Sequence, residues 1–70
     1  MTLKEIREEM EKGYLLNERQ DLQTGETTYD LHDQTVTQGQ FARMLNTGRI
    51  RAAYFGGTPG KVALTQYAYN

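Results

Sequence analysis

The sequence predicts an α+β fold: one antiparallel sheet of two hairpins, packed on one face by two short helices. Three observations predict it. Two capping boxes, Thr2-Leu3-Lys4-Glu5 and Thr37-Gln38-Gly39-Gln40, each precede apolar residues at helical spacing. Each helical stretch is followed by a pair of short β-type runs, and each pair is joined by a polar or glycine-containing turn. The expected order is α-β-β-α-β-β, with residues 1–70 forming a single domain.

The first helix starts where Thr2 and Glu5 reciprocally satisfy amide groups left free at a helix end. Leu3, Ile6 and Met10 recur at i, i+3 and i+7 and line one face, while Lys4–Glu8 and Glu8–Lys12 pair on the wet face. Gly13 is a natural left-handed stop, so the helix runs over about residues 3 to 12. Tyr14 to Gln20 and Thr27 to His32 then read as strands around a polar turn that contains Gly25. At the second capping box, Val36 and Phe41 hold the positions of a hydrophobic staple. Phe41, Met44 and Leu45 give a buried stripe, and Gly48 closes a helix over about 38–46. Arg49 to Phe55 and Lys61 to Tyr69 are the last two strands. Pro59-Gly60 between them suits the centre of a type II turn, since proline pre-sets φ and glycine accepts positive φ. The expected core is Leu3, Ile6, Met10, Phe41, Met44, Leu45, Ile50, Tyr54, Val62 and Leu64, with Leu15 or Leu16 and Leu31 from the first hairpin.

Composition narrows the function. All nine acidic residues lie at or before Asp33, where they face four basic ones, a net of −5; residues 34–70 carry Arg43, Arg49, Arg51 and Lys61 and no acid, a net of +4. The overall charge of −1 therefore conceals a dipolar chain. With no cysteine, disulfides and Cys-ligated zinc are excluded as staples, and a chain this short has a thin hydrophobic margin. Self-association is one way to widen it, and a homodimer pairing the acidic helix of one copy with the basic hairpin of another is an expectation of the charge division. No apolar leader or membrane-length run is present, which makes a cytoplasmic location with no membrane contact the expectation.

Catalytic and metal chemistry find little support. The chain has no serine or cysteine to pair with its single His32, and its carboxylates sit in polar stretches where nothing would shift their ionisation. Asp30 and His32 share one side of a strand, but no second histidine or cysteine completes a metal site. Polar strand-end residues with a solvated His32 are the simpler reading. Gly57-Thr58-Pro59-Gly60-Lys61 resembles a phosphate-binding loop only in letters: Phe55 and Val62 stand where glycine and Ser/Thr are needed, and a strand follows instead of a helix. No enzyme activity, cofactor or metal is expected.

What remains is the C-terminal hairpin. Strand alternation places Ile50, Ala52, Tyr54, Val62, Leu64 and Ala68 toward the helices. The opposite parity carries Arg49, Arg51, Phe55, Lys61, Thr65, Tyr67 and Tyr69 on an outer face without carboxylates. Aromatics among cations suit the buried centre of a protein interface, and equally the stacking and phosphate contacts of single-stranded nucleic acid. The same face is also what a merely solvated sheet shows, with tyrosines and arginine stems covering strands. Four cations neutralise few phosphates, and the acidic half would repel a polyanion. The expectation is a small non-catalytic interaction or inhibitor-like module. It binds an acidic protein partner through Arg49, Arg51, Phe55, Lys61, Tyr67 and Tyr69, with nucleic acid at the same face as the alternative.

Overall fold

Both capping boxes form as their residue types require. The Thr2 hydroxyl accepts from the Glu5 amide and the Glu5 carboxylate accepts from the Thr2 amide, opening α1 (Leu3–Glu11). Thr37 and Gln40 repeat the exchange at α2 (Gln38–Asn46). The computed structural model describes all of residues 1–70. Between the helices lie β1 (Leu16–Asp21), β2 (Thr27–Leu31) and β3 (Gln34–Val36); after them come β4 (Ile50–Thr58) and β5 (Val62–Tyr69). All pairings are antiparallel, in the order β3-β2-β1-β5-β4. No helix is long and apolar enough to cross a membrane.

The order is thus α-β-β-β-α-β-β, one strand more than the sequence reading expects. His32 and Asp33 adopt φ of 47° and 61°, making a two-residue turn with both centres left-handed, which matches strand twist. The chain folds back at once, and Gln34–Val36 pairs with Tyr29–Leu31. At the other hairpin, the Lys61 amide donates to the Thr58 carbonyl at 3.0 Å and Gly60 has φ of 76°, as the Pro59-Gly60 signal predicts.

Nine side chains form the core: Ile6, Met10, Leu16, Leu31, Val36, Phe41, Met44, Ile50 and Tyr67. Ile6, Leu16 and Leu31 are wholly enclosed, and each such burial contributes about 1.5–3 kcal/mol. Leu16, not Leu15, takes the inward position. Several core expectations need correction. Leu45 is exposed because it lies one residue past Met44, a turn of roughly 100° away from the sheet. Tyr54 is also exposed, and Val62 and Leu64 are only half-buried, whereas Tyr67 is enclosed.

For Tyr54 the cause is a register shift in β4; on β5 the inward residues are Tyr69 and Tyr67 because they stand opposite Ile50 and Ala52, ahead of that shift. Ile50, Arg51 and Ala52 pair with Tyr69, Ala68 and Tyr67, but Tyr54 pairs with Gln66, leaving Ala53 as an extra residue. A bulge reverses the faces of everything beyond it. Ile50 and Tyr54 have the same parity yet lie on opposite faces. The helix-facing set is therefore Ile50, Ala52, Phe55 and Gly57 on β4, with Ala63, Thr65, Tyr67 and Tyr69 on β5.

Length then decides what the helices cover. A nine-residue helix is ~13 Å long, whereas the nine residues of β4 extend ~30 Å. The helices sit over the end of the sheet marked by Leu16, Leu31, Ile50 and Tyr67. The opposite end, from Phe55 to Thr58 and Lys61 to Thr65, projects beyond them.

Two stability outcomes follow. Thr37→Ala should cost about 1 kcal/mol by loss of the N-cap, a fall of about 4–8 °C in Tm for a domain of this size; thermal unfolding followed by circular dichroism measures it. Gly57 has φ of 112°, and a Cβ there would clash with the Val62 carbonyl oxygen. Gly57→Ala should cost about 1–3 kcal/mol or more, while Gly56→Ala, with nothing within 4 Å of its Cβ, should stay within about 0.5 kcal/mol of wild type. Equal denaturation midpoints for the two would contradict the register.

Candidate interaction surface of the C-terminal hairpin

β4 is an edge strand, paired with β5 on one side only. An edge presents a row of free backbone amides and carbonyls, and such rows are usually blunted by shortness, bulges, glycine or charge. The opposite edge, β3, is blunted by having three residues. β4 has nine, with the Ala53 bulge, Arg51 and Gly56-Gly57 as its only brakes. At its middle, Tyr54 is 59% and Phe55 79% exposed. They are neighbours in sequence and point to opposite faces, so the edge is flanked by an aromatic ring on each side.

The six residues singled out in the sequence do not form one surface. Arg51 lies on the open face with Ala68 opposite it, and Phe55 on the helix-side face beyond the helices. Lys61 is exposed in the turn. Tyr69 is half-buried against the core, and Arg49 Nη1 donates to its hydroxyl over a long 3.5 Å. Tyr67 is the clear correction: at 9% exposure it belongs to the core, not to an outer face. Its ring meets Phe41 edge-on with centroids 5.0 Å apart, Phe41 stacks on Tyr29 at 4.3 Å, and the Tyr67 hydroxyl donates to Glu18 at 3.2 Å. An aromatic with a polar tip suits a small core whose far wall carries a carboxylate.

The charge dipole of the sequence becomes a gradient across the sheet. β1 to β3 and their turns hold Glu18, Asp21, Glu26, Asp30 and Asp33 against one arginine; β4 and β5 hold no carboxylate. On the open face a polar ladder crosses three strands. Gln66 donates to Asn17 at 2.9 Å, Asn17 donates to Asp30 at 2.8 Å, and Arg19 closes the chain on Asp30 at 2.9 Å. A depression beside it is lined by Arg19, Asp21, Glu26, Thr28 and Val62, where carboxylates outnumber the cation.

His32 is not freely solvated. Its ring stacks on Tyr14 with centroids 3.8 Å apart, and its Nδ1 lies 2.9 Å from Glu9. Hydrogen bonds from His32 and then Lys12 hold the Glu9 carboxyl below the ordinary carboxylate value. The cluster ties α1 to the β2–β3 turn.

A second depression, of about 260 Å³, lies where α1, the end of α2 and the start of β4 meet. Lys4, Arg7, Arg43 and Arg49 line it, with Leu3, Met44, Thr47 and Tyr69. Sequence reasoning missed this convergence, because Lys4 and Arg7 sit within the acidic half and were counted with it. The available signal was their i, i+3 spacing with the Leu3 side of α1, away from Glu9.

Comparison with protein-family models, curated proteins and solved structures finds no match for this chain. The surface must be read from its own chemistry.

Burial, then the charge of Glu18 and its hydrogen bond, raises the hydroxyls of Tyr29 and Tyr67 above the ordinary value of 10.0. The folded chain thus holds these protons more tightly than the unfolded chain does. Their contribution to stability should be complete below pH 10 and be lost as pH rises through the raised values. The tyrosinate absorbance titration should extend past the ordinary tyrosine range in the native protein and return to it in denaturant. In Glu18→Gln the native titration should move down. Superimposable native and denatured titrations would refute the cluster.

Proposed function

We propose that this protein is a small non-catalytic interaction module that binds an acidic, extended segment of a protein partner along the free edge of β4. The observation that carries the reading is the pair Tyr54 and Phe55, exposed on either side of a nine-residue edge strand. A partner strand added there gains main-chain hydrogen bonds from the edge and side-chain pockets from the rings. Full burial of one such ring is worth about 1.5–3 kcal/mol, enough for a residue that dominates an interface. Arg49, Arg51 and Lys61 lie along the same hairpin with no carboxylate on it, and complementary charge speeds encounter and fixes orientation.

A single-stranded nucleic acid would use aromatics and cations too. The observed arrangement favours protein: the two rings face opposite sides of the sheet, so successive bases cannot stack on both from one groove. The open face also carries Asp21 and Asp30 across from the hairpin, where a phosphate backbone would be repelled.

Partner retention on immobilised protein should survive nuclease treatment of the extract. Phe55→Ala and Tyr54→Ala should each weaken it at least about tenfold, chiefly by faster dissociation, without changing the thermal midpoint. Arg51→Glu with Lys61→Glu should slow association, and the defect should shrink as salt rises. Undiminished binding by both aromatic variants would overturn the reading, as would loss of retention on nuclease treatment. A salt-sensitive dimer that Phe55→Ala converts to monomer would instead assign the edge to a second copy of this chain.

A further inference from the structure

The depression between the helices has a chemistry that the β4 edge does not require. Four cations drawn from three elements converge on it: Lys4 and Arg7 from α1, Arg43 from α2, and Arg49 from the approach to β4. Arg43 and Arg49 have no carboxylate within ion-pair distance. Lys4 and Arg7 reach Glu8 and Glu11 at 4.0 and 3.7 Å, but these pairs are well exposed on the helix surface. Pairs of that kind contribute about 0–1 kcal/mol and exchange readily for a stronger anion.

Two further features suit an anion. The first turn of α1 brings to the rim Leu3 and Lys4, whose amides the capping box of Thr2 and Glu5 does not use. The last turn of α2 would oppose it, because a helix C-terminus exposes carbonyl oxygens. Here three of those four oxygens are occupied. The Arg43 carbonyl accepts from the Thr47 hydroxyl at 2.7 Å, the Met44 carbonyl from the Arg49 amide at 3.0 Å, and the Leu45 carbonyl from the Gly48 amide at 3.1 Å; just beyond the helix the Gly48 carbonyl accepts from the Asn70 side chain at 2.7 Å. The repulsive end of α2 is largely capped from within.

We infer that this cleft binds a phosphomonoester, carried on a phosphorylated side chain of the protein partner. Four cations against two exchangeable carboxylates leave about two positive charges, which matches the roughly −1.5 to −2 of a phosphorylated side chain near neutrality. Arginine forks match phosphate oxygens in pairs; Arg43 has no side-chain partner here, and Arg49 has only the long 3.5 Å bond to the Tyr69 hydroxyl. The cations converge on one depression and do not form a track, so the cleft takes one phosphate group and not a phosphodiester backbone. Its position fits the partner segment. Arg49 precedes β4, and Tyr54 lies five residues on, ~17 Å along an extended chain. The phosphorylated residue therefore sits about five positions from the side chain that packs on the aromatic pair. The choice of a protein as the phosphate's source rests on the hairpin reading; the oxyanion site does not.

The test uses the purified chain of residues 1–70 at constant ionic strength and four probes. They are an acidic decapeptide with one phosphoserine, its unphosphorylated twin, inorganic phosphate, and a 5′-phosphorylated tetranucleotide. The phosphopeptide should bind at least about tenfold more tightly than its twin, a difference of about 1.4 kcal/mol. Saturable amide shifts should cluster at Lys4, Arg7 and residues 43–49, with inorganic phosphate moving the same signals. Affinity should rise between about pH 5.5 and 7.5, as the second phosphate proton leaves near pH 6. Arg43→Gln with Arg49→Gln should abolish the advantage of the phosphopeptide while leaving the circular dichroism spectrum and thermal midpoint unchanged. Non-saturating shifts spread equally over Lys12, Arg19 and Lys61, or an advantage kept by the double variant, would overturn the site. A tetranucleotide that occupies the cleft more tightly than the phosphopeptide would overturn its protein source. Phe55→Ala should weaken both peptides and preserve their ratio; if it binds both as wild type does, the hairpin reading falls while the oxyanion site stands.

Discussion

The edge-to-face contact of Phe41 on Tyr67 is the joint on which the molecule turns. Tyr67 stands on β5, the strand that joins the two hairpins, directly opposite Leu16 of β1. Placing its ring toward α2 commits Leu16, Leu31 and Val36 to the same face by alternation, and so decides where both helices sit. It also settles what is left outside. Once Tyr67 points inward, Gln66, Leu64 and Val62 must face the uncovered side, and the polar ladder through Asn17 and Asp30 assembles there. A core of nine side chains has no spare ring with which to choose otherwise.

The parts of this fold that were legible in the sequence are those whose cause is local. A capping box needs residues three apart, and both boxes form where Thr2 and Thr37 place them. The Pro59-Gly60 turn likewise depends on four consecutive residues. The third strand was hidden for the same reason in reverse. Its turn, His32-Asp33, uses left-handed φ without glycine or asparagine, and Val36 already had an explanation as a helix staple. Val36 serves both roles, ending β3 and bracing α2 within two residues.

What local pattern could not supply was the face of each strand in the C-terminal hairpin. Strict alternation assigns Tyr54 to the core with Ile50, and a single extra residue at Ala53 reverses it. Nothing in Ala52-Ala53 marks a bulge, since both are small and neither is glycine. The energetic reason appears only in three dimensions. Tyr67 brings a large ring and a hydroxyl that Glu18 can accept, while Leu64 and Val62 lie beyond the reach of nine-residue helices. The sheet is longer than its cover, so apolar residues far along the hairpin stay half-exposed whichever face they take.

Charge followed the same logic. Divided at Asp33, the chain is a dipole, and the sheet preserves that dipole from its acidic strands to its acid-free edge. The cleft breaks the division, because folding brings Lys4 and Arg7 against Arg43 and Arg49. On α1 alone those two cations are unremarkable partners of Glu8 and Glu11. Beside α2 they become half of a cationic rim, next to the helix-end carbonyls of Arg43, Met44 and Leu45 that Thr47, Arg49 and Gly48 occupy. Capping α2 with side chains and turn amides does more than end a helix. It weakens the negative potential that faces the arginines, so the chemistry that stabilises the C-terminus of α2 also favours the proposed anion beside it.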